Sequence, residues 1–207
     1  MARRVAALYD VEGNLAALEA VLAEAERDGA DTVVCGGDLV VGPSPPEVFD
    51  RVAGLPDVRF VRGNADRMVL HGIDEYGTDW RGARERLGEE RLAEVASWPL
   101  TAEVDVDGLG RAVFCHSKPA ADDPIYTRLT PDEDLTELFA DVEADVVVVG
   151  HTHVQFDRRL ASGLRVVNAG SVGIPFERPP GAYWALLRPD VELRRTDYDV
   201  EAAVAAM

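Results

Sequence analysis

Lysine is almost missing from this 207-residue chain: Lys118 is the only one, and every other basic residue is arginine. Positive charge as a whole is scarce, with 21 Lys and Arg against 38 Asp and Glu and a net charge of −17. Such a balance excludes bulk electrostatic binding to nucleic acid or to an anionic membrane. A nucleotide substrate stays open, because bound cations would invert the local sign. Cysteine is scarce as well. Cys35 and Cys115 lie inside apolar runs and read as core-facing thiols rather than a disulfide framework. No apolar stretch approaches the roughly 20 residues that cross a bilayer, so no membrane partner is expected. The first apolar run follows Met1-Ala2-Arg3-Arg4 directly. That leaves no room for a signal peptide, and a cytoplasmic location is expected. There is no internal repeat and no low-complexity linker, so residues 1–207 are expected to form one domain, with oligomers left open.

What the chain does have is six short apolar runs, each ending at a residue able to bind a metal or a phosphate. Val5–Tyr9 ends at Asp10, Thr32–Cys35 at Gly36-Gly37-Asp38, and Val58–Val61 at Arg62-Gly63-Asn64. Ala112–Cys115 ends at His116, Val146–Val149 at Gly150-His151-Thr152-His153, and Val166–Val167 at Asn168-Ala169-Gly170-Ser171. Runs of this length bounded by Gly and polar residues read as buried strands. In open α/β sheets, ligands bind just beyond the carboxyl ends of the strands. The six ends therefore predict one assembled site.

Between the runs, the first half alternates strand and helix. Asn14 is placed to cap a helix carrying Leu15, Leu18, Leu22 and Ala25, and Pro46 suits the first turn of the next helix. Residues 67–97 break the alternation and read as a lid or edge insertion. The second half is rich in hairpins, with turns at Asp107-Gly108-Leu109-Gly110 and Ser162-Gly163. A βα half followed by a hairpin-rich half predicts an α/β fold of two facing sheets with helices outside.

Two divalent metals about 3.5–4 Å apart need an anionic bridge and ligands of mixed hardness. Asp38, in Gly-Gly-Asp, is the natural bridge; Asp10 and Glu12 leave the first strand close enough to grip one ion. His151 and His153 flank a threonine, so a bend there presents one imidazole to each metal. Asn64 and His116 supply neutral ligands to the second. Such a mixed oxygen and nitrogen set suits Mn, Fe, Zn or Ni. His71, in the inserted segment, has no such placement. Lys118, two residues past His116, is a candidate substrate contact.

In this order, Asp10-Val11-Glu12-Gly13-Asn14, Gly37-Asp38, Gly63-Asn64-Ala65-Asp66, His116 and Gly150-His151-Thr152-His153 resemble the calcineurin-like metallophosphoesterase superfamily. The resemblance is strongest to its small bacterial and archaeal phosphodiesterases. The match spans residues 10–153, and Asn168-Ala169-Gly170-Ser171 resembles the family's following Asn-Pro-Gly-Ser. It implies a four-layer αββα sandwich and a phosphoester substrate, nucleotides included. By that resemblance Asp10, Glu12, Asp38 and His153 hold the first metal, and Asp38, Asn64, His116 and His151 the second. A bridging hydroxide would attack phosphorus in line. Asp38, Asn64 and Asp66 are the expected catalytic residues, and Asn14, Lys118 and Ser171 the expected substrate contacts.

Two positions depart from the family pattern. Glu12 stands where the family has His; it makes the set Asp10, Glu12 and Asp38 formally trianionic and predicts Mn or Mg over Zn. Ala65 replaces the imidazole that contacts the phosphoryl group or protonates the leaving oxygen, a loss of about 10²–10⁴-fold in general acid catalysis. Slow hydrolysis of substrates with good leaving groups is expected. The rival expectation is a degenerate relative acting as a binding scaffold, as the retromer subunit of the superfamily does, or as a metal-bound sensor of phosphorylated ligands.

Overall fold

A computed structural model of the chain describes residues 3–73 and 80–205. The six apolar runs become six strands: β1 (Val5–Leu8), β2 (Thr32–Cys35), β3 (Val58–Phe60), β5 (Gly110–Cys115), β6 (Val146–Val149) and β8 (Arg165–Asn168). The remaining strands are β4 (Thr101–Val106), β7 (Phe156–Arg159), β9 (Ala182–Leu187) and β10 (Val191–Thr196). They form two mixed five-stranded sheets, in the orders β10-β9-β1-β2-β3 and β4-β5-β6-β8-β7. Within the first sheet β1, β2 and β3 are parallel; within the second, β5, β6 and β8 are parallel. The antiparallel members are the hairpin strands at the flanks. Each parallel triplet sends its carboxyl ends to one edge, which is where the polar residues gather.

Side-chain alternation separates three layers of core. Ala6, Leu8, Cys35, Trp184 and Leu186 face the helices α1 (Leu15–Arg27), α2 (Pro45–Ala53), α3 (Asn64–His71) and α4 (Trp80–Ser97). Val5, Ala7, Tyr9, Val34, Ala185 and Leu187 face the second sheet and meet Phe114, Val148 and Val167. On the far side Val113, Cys115, Val147 and Val149 pack on Leu135 and Phe139, at and just after α5 (Asp132–Leu138). Helix, sheet, sheet, helix is the expected four-layer order. A short helix, α6 (Val200–Ala205), follows β10. Tyr9 pins the two sheets together, its hydroxyl donating to the Val148 carbonyl at 2.7 Å. The two cysteines lie in different core layers as free, buried thiols, and burial pushes Cys35 up to about 12.

Segment 67–97 runs through α3 and α4, with residues 74–79 outside the described part. Trp80, Ala83, Leu87, Leu92 and Val95 of α4 are buried in the first core layer, where the helix packs on α2 and α3. Beyond it, Trp98 stacks on Phe60 of β3 at 4.7 Å between ring centroids. β3 is therefore a half-buried edge strand rather than a fully buried one. Gly88 breaks the regular path of α4 at φ 75°, ψ 164°. Among the described residues, no helix is long and apolar enough to cross a membrane.

Candidate metal centre

Five non-glycine residues among the described ones have positive φ: Asp10 (50°), Glu12 (47°), Asp38 (53°), His151 (67°) and His153 (57°). Left-handed backbone costs an L-residue roughly 1–3 kcal/mol and persists where the surroundings enforce it. All five belong to the predicted ligand set. The chain bends sharply as it leaves β1, β2 and β6, turning these side chains back across the strand ends.

The side chains gather in two adjoining clusters, Asp10 with Glu12 and His153, and Asp38 with His116 and His151. Within each, one candidate ligand atom per residue lies within 4.8 Å of the others. The same local arrangement fixes both aspartates. Asp10 Oδ2 accepts the His151 backbone N–H at 2.9 Å, and Asp38 Oδ1 accepts the Ala65 N–H at 2.7 Å. The second oxygen of each is left facing imidazoles: Asp38 Oδ2 lies 3.2 Å from His116 Nε2, and Asp10 Oδ1 lies 3.4 Å from His153 Nε2. Glu12 Oε1 stands 3.2 Å from His153 Nε2, and Asn64 Oδ1 stands 3.0 Å from His116 Nε2.

The imidazoles are fixed from behind. His116 Nδ1 meets the Gly36 carbonyl at 3.0 Å and His153 Nδ1 the Ile174 carbonyl at 2.6 Å. With Nδ1–H donating to a carbonyl, each ring turns its Nε2 into the centre, the orientation that outer-shell partners impose on metal-binding histidines. His151 is set differently, with Nε2 3.3 Å from the Asp123 carbonyl and its ring edge-on to His116. Glycines leave room for the carboxylates: a Cβ on Gly63 would fall 2.2 Å from Asp38 Oδ1, and one on Gly150 2.5 Å from Asp10 Oδ2.

Burial by itself lowers the proton affinity of His116 and His153, but the carboxylates outweigh it. Asp38 and Asp10 push His116 up to about 10; Asp10 and Glu12 push His153 up to about 11. Burial raises the Glu12 carboxyl, with His153 opposing. Burial would raise Asp38 too, but His116 holds it below the usual carboxylate range. His151 is lowered by burial and then by the charge of His116.

A divalent ion fits this donor set on an observation independent of motif. Asp10 Oδ1 is fully buried and has no hydrogen-bond partner, an expensive condition for a carboxylate oxygen. It is 3.4 Å from His153 Nε2 and 3.8 Å from His116 Nε2, so it faces one imidazole from each cluster. Carboxylate, amide and imidazole donors together suit a first-row divalent metal.

Residues 4–190 match the calcineurin-like phosphoesterase superfamily domain. The chain belongs to that superfamily. The family uses divalent metals, and the two clusters are candidate ligand groups for them. An uncharacterised protein of Methanocaldococcus jannaschii is 28% identical, over 96% of this chain and 89% of that protein. A metallophosphoesterase from Sphaerobacter thermophilus superposes with a TM-score of 0.79 at 27% identity, covering all of this chain (100%) and 93% of that one. A hypothetical protein from Pyrococcus horikoshii shares the fold at a TM-score of 0.85 and 22% identity, over 98% of this chain and 91% of that one.

Within this phosphoesterase framework the seven expected ligands converge, but other expected site residues do not face the centre. Asp66, expected as catalytic, is fully buried with its carboxylate turned into the backbone. Its oxygens accept N–H groups from Asp38 (2.8 Å), Leu39 (2.9 Å), Val40 (3.1 Å) and Gly63 (2.9 Å). Burial and then Asp38 push its carboxyl up to about 6, opposed by those N–H groups. It positions the Asp38 turn. Asn14, expected both to cap α1 and to touch substrate, caps it by accepting from Ala17 N–H and donates to the Gly173 carbonyl and the Tyr198 hydroxyl. Ser171 is likewise a brace, fully buried, donating to the Asp10 carbonyl at 2.9 Å and accepting from Ile174 N–H at 2.8 Å. Lys118 is half-buried. His71 is exposed at the end of α3.

The residue that motif reading missed is Arg67. Its guanidinium makes a bidentate pair with the buried Asp122 at 2.8 and 2.9 Å, and Asp123 beside it supplies the carbonyl at His151. Asp122 first, then Asp123 and Asp38, hold its proton. The available signal was spacing: Arg67 follows Asn64 by three residues on one face of α3.

Proposed function

We propose that the protein is a metal-dependent phosphodiesterase with two metal sites and a preference for Mn. Asp10, Glu12, Asp38 and His153 would hold the first ion, and Asp38, Asn64, His116 and His151 the second. The observation that carries the reading is the orphaned Asp10 Oδ1, buried and facing an imidazole from each cluster. When bound, divalent ions supply charge neutralisation at the phosphoryl oxygens and a nucleophilic water near neutral pH. The chain's own part is to hold the ligands in place. Asp66 fixes the Asp38 turn, the Gly36 and Ile174 carbonyls aim the imidazoles, and Arg67 sets a cation at the rim of the second cluster. Two carboxylates in the first cluster favour a hard ion such as Mn over Zn.

Ala65 has no side chain with which to protonate a leaving group, and it is 2% exposed within the helix-facing core. Hydrolysis therefore depends on esters whose leaving oxygen needs little help, and turnover is slow. The buried thiols Cys35 and Cys115 fit a reducing cytoplasmic setting. With Mn, the protein should hydrolyse bis-p-nitrophenyl phosphate, and Asp38→Asn should lower the rate by about 10²-fold or more. No hydrolysis by folded protein with Mn, Ni, Zn or Mg would remove the proposal and leave the scaffold reading, to which Glu12 and Ala65 give weight.

A further inference from the structure

Phe176 is 71% exposed, a large apolar side chain outside every core layer, beside an otherwise polar site. Its ring stacks on His153, with centroids 4.9 Å apart and planes 29° from parallel. The loop presenting it is tied to the ligand carriers. Gly173 N–H donates to the Asp10 carbonyl, His153 Nδ1 meets the Ile174 carbonyl, and Phe176 N–H donates to the His153 carbonyl at 3.0 Å. Gln155 N–H closes the far side on Glu177 Oε1 at 2.6 Å. One face of the phenyl ring is therefore covered by a candidate ligand, while the ring as a whole stays largely open to solvent. Ile174, 43% exposed, adds a second apolar surface from the same loop.

We infer that Phe176 is a specificity-determining residue that stacks on a planar aromatic substituent of the substrate, so that the substrate class is a nucleoside-bearing phosphoester. The inference rests on the phosphodiesterase reading of the metal centre. It follows from chemistry and placement: a phosphoryl group held by the first cluster puts its ester substituent beside His153, where Phe176 offers a π-face. A base has two such faces and stacks without needing a hydrogen-bonding partner. On the side of the second cluster, the segment after Asp122 and Asp123 exposes Ile125 (80%), an aliphatic side chain with no π-face to stack on a base.

The test is calorimetric binding to the Mn-loaded protein of three probes: inorganic phosphate, ribose 5-phosphate and adenosine 5′-monophosphate. Adenosine 5′-monophosphate should bind about 5- to 150-fold more tightly than ribose 5-phosphate, the range spanned by base–aromatic stacking. Phe176→Ala should erase that difference, bringing adenosine 5′-monophosphate down to the affinity of ribose 5-phosphate, and Phe176→Trp should keep it. Equal binding of the two sugar phosphates, with Phe176→Ala without effect, overturns the stacking role and leaves the metal-centre reading standing. The same null result with a change in sedimentation of Phe176→Ala would assign the ring to a protein contact and also overturn it. Failure of Mn and of all three probes to bind would overturn both readings together.

Discussion

The two ligand clusters are built on one plan with different chemistry. Each has an aspartate with one oxygen fixed by a backbone N–H and an imidazole fixed through Nδ1 by a backbone carbonyl. The first, however, carries two carboxylates and one imidazole, whereas the second carries one carboxylate, two imidazoles and the Asn64 amide. Their supports differ as well. The second leans on one buried carboxylate, Asp66, with four N–H partners; the first leans on a neutral hydroxyl, Ser171, with two partners. A charged brace concentrates the support of the second cluster in a single residue. The first spreads it over Ser171, the 173–177 loop and Asn168, which donates to the Gly150 carbonyl and the Thr152 hydroxyl.

The largest expected effect follows from that contrast. Asp66→Ala leaves four buried N–H groups without their acceptor, and each unmet donor costs about 1–3 kcal/mol before water or relaxation recovers part of it. A stability loss of about 3 kcal/mol or more is expected by denaturant unfolding, with loss of metal at the second cluster. Ser171→Ala should cost about 1–2 kcal/mol and weaken the first cluster alone. Equal losses from the two substitutions would show that the braces are equivalent and that the contrast is only apparent.

These braces also mark the limit of what the sequence disclosed. The candidate ligands were legible as a set because they lie at or just beyond the ends of apolar runs, and parallel triplets carry those run ends to one edge. The four-layer order was legible from the switch between βα units and hairpins. The capping role of Asn14 was legible, but the turn of Asp66 and Ser171 into the backbone was not, because motif proximity does not say which way a side chain points. All three lie within the motif segments, and all three point into the backbone. Arg67 was missed because its partner, Asp122, is 55 residues away in sequence. Helix α4, read from sequence as part of a lid or edge insertion, buries Trp80, Leu87 and Val95 in the first core layer and packs on α2 and α3, partners that its own periodicity does not name.

A smaller effect concerns metal choice. Glu12→His would give the first cluster the superfamily's imidazole and remove one negative charge. Metal analysis after loading with equal Mn and Zn should show a shift toward Zn, roughly 10-fold in the occupancy ratio, because a nitrogen donor and a lower formal charge suit the softer ion. An unchanged ratio would mean that Glu12 does not ligate and that its closeness to His153 is only an ion pair.

A further test is the pH dependence of the metal-free protein, in which His116 and His153 act in one direction and His151 in the other. His153 and His116 have folded-state values pushed to about 11 and about 10, above the unfolded value of about 6.5. Their stabilising contribution is full below about pH 6.5 and is lost as pH rises through those folded values. His151 is lowered instead, by burial and by His116, so it destabilises the fold as pH falls below about 6.5 and protonation is demanded of it. His151 and His116 share the second cluster, so their effects oppose one another there, while the first cluster has only His153. Thermal unfolding in EDTA should therefore show stability falling from pH 7 to 10, and His153→Gln should flatten that slope more than His151→Gln does. Mn at saturation should remove the slope, because the ion takes the place of the protons between carboxylate and imidazole. A slope that survives both His153→Gln and Mn would place its origin outside the centre, among surface carboxylates and arginines.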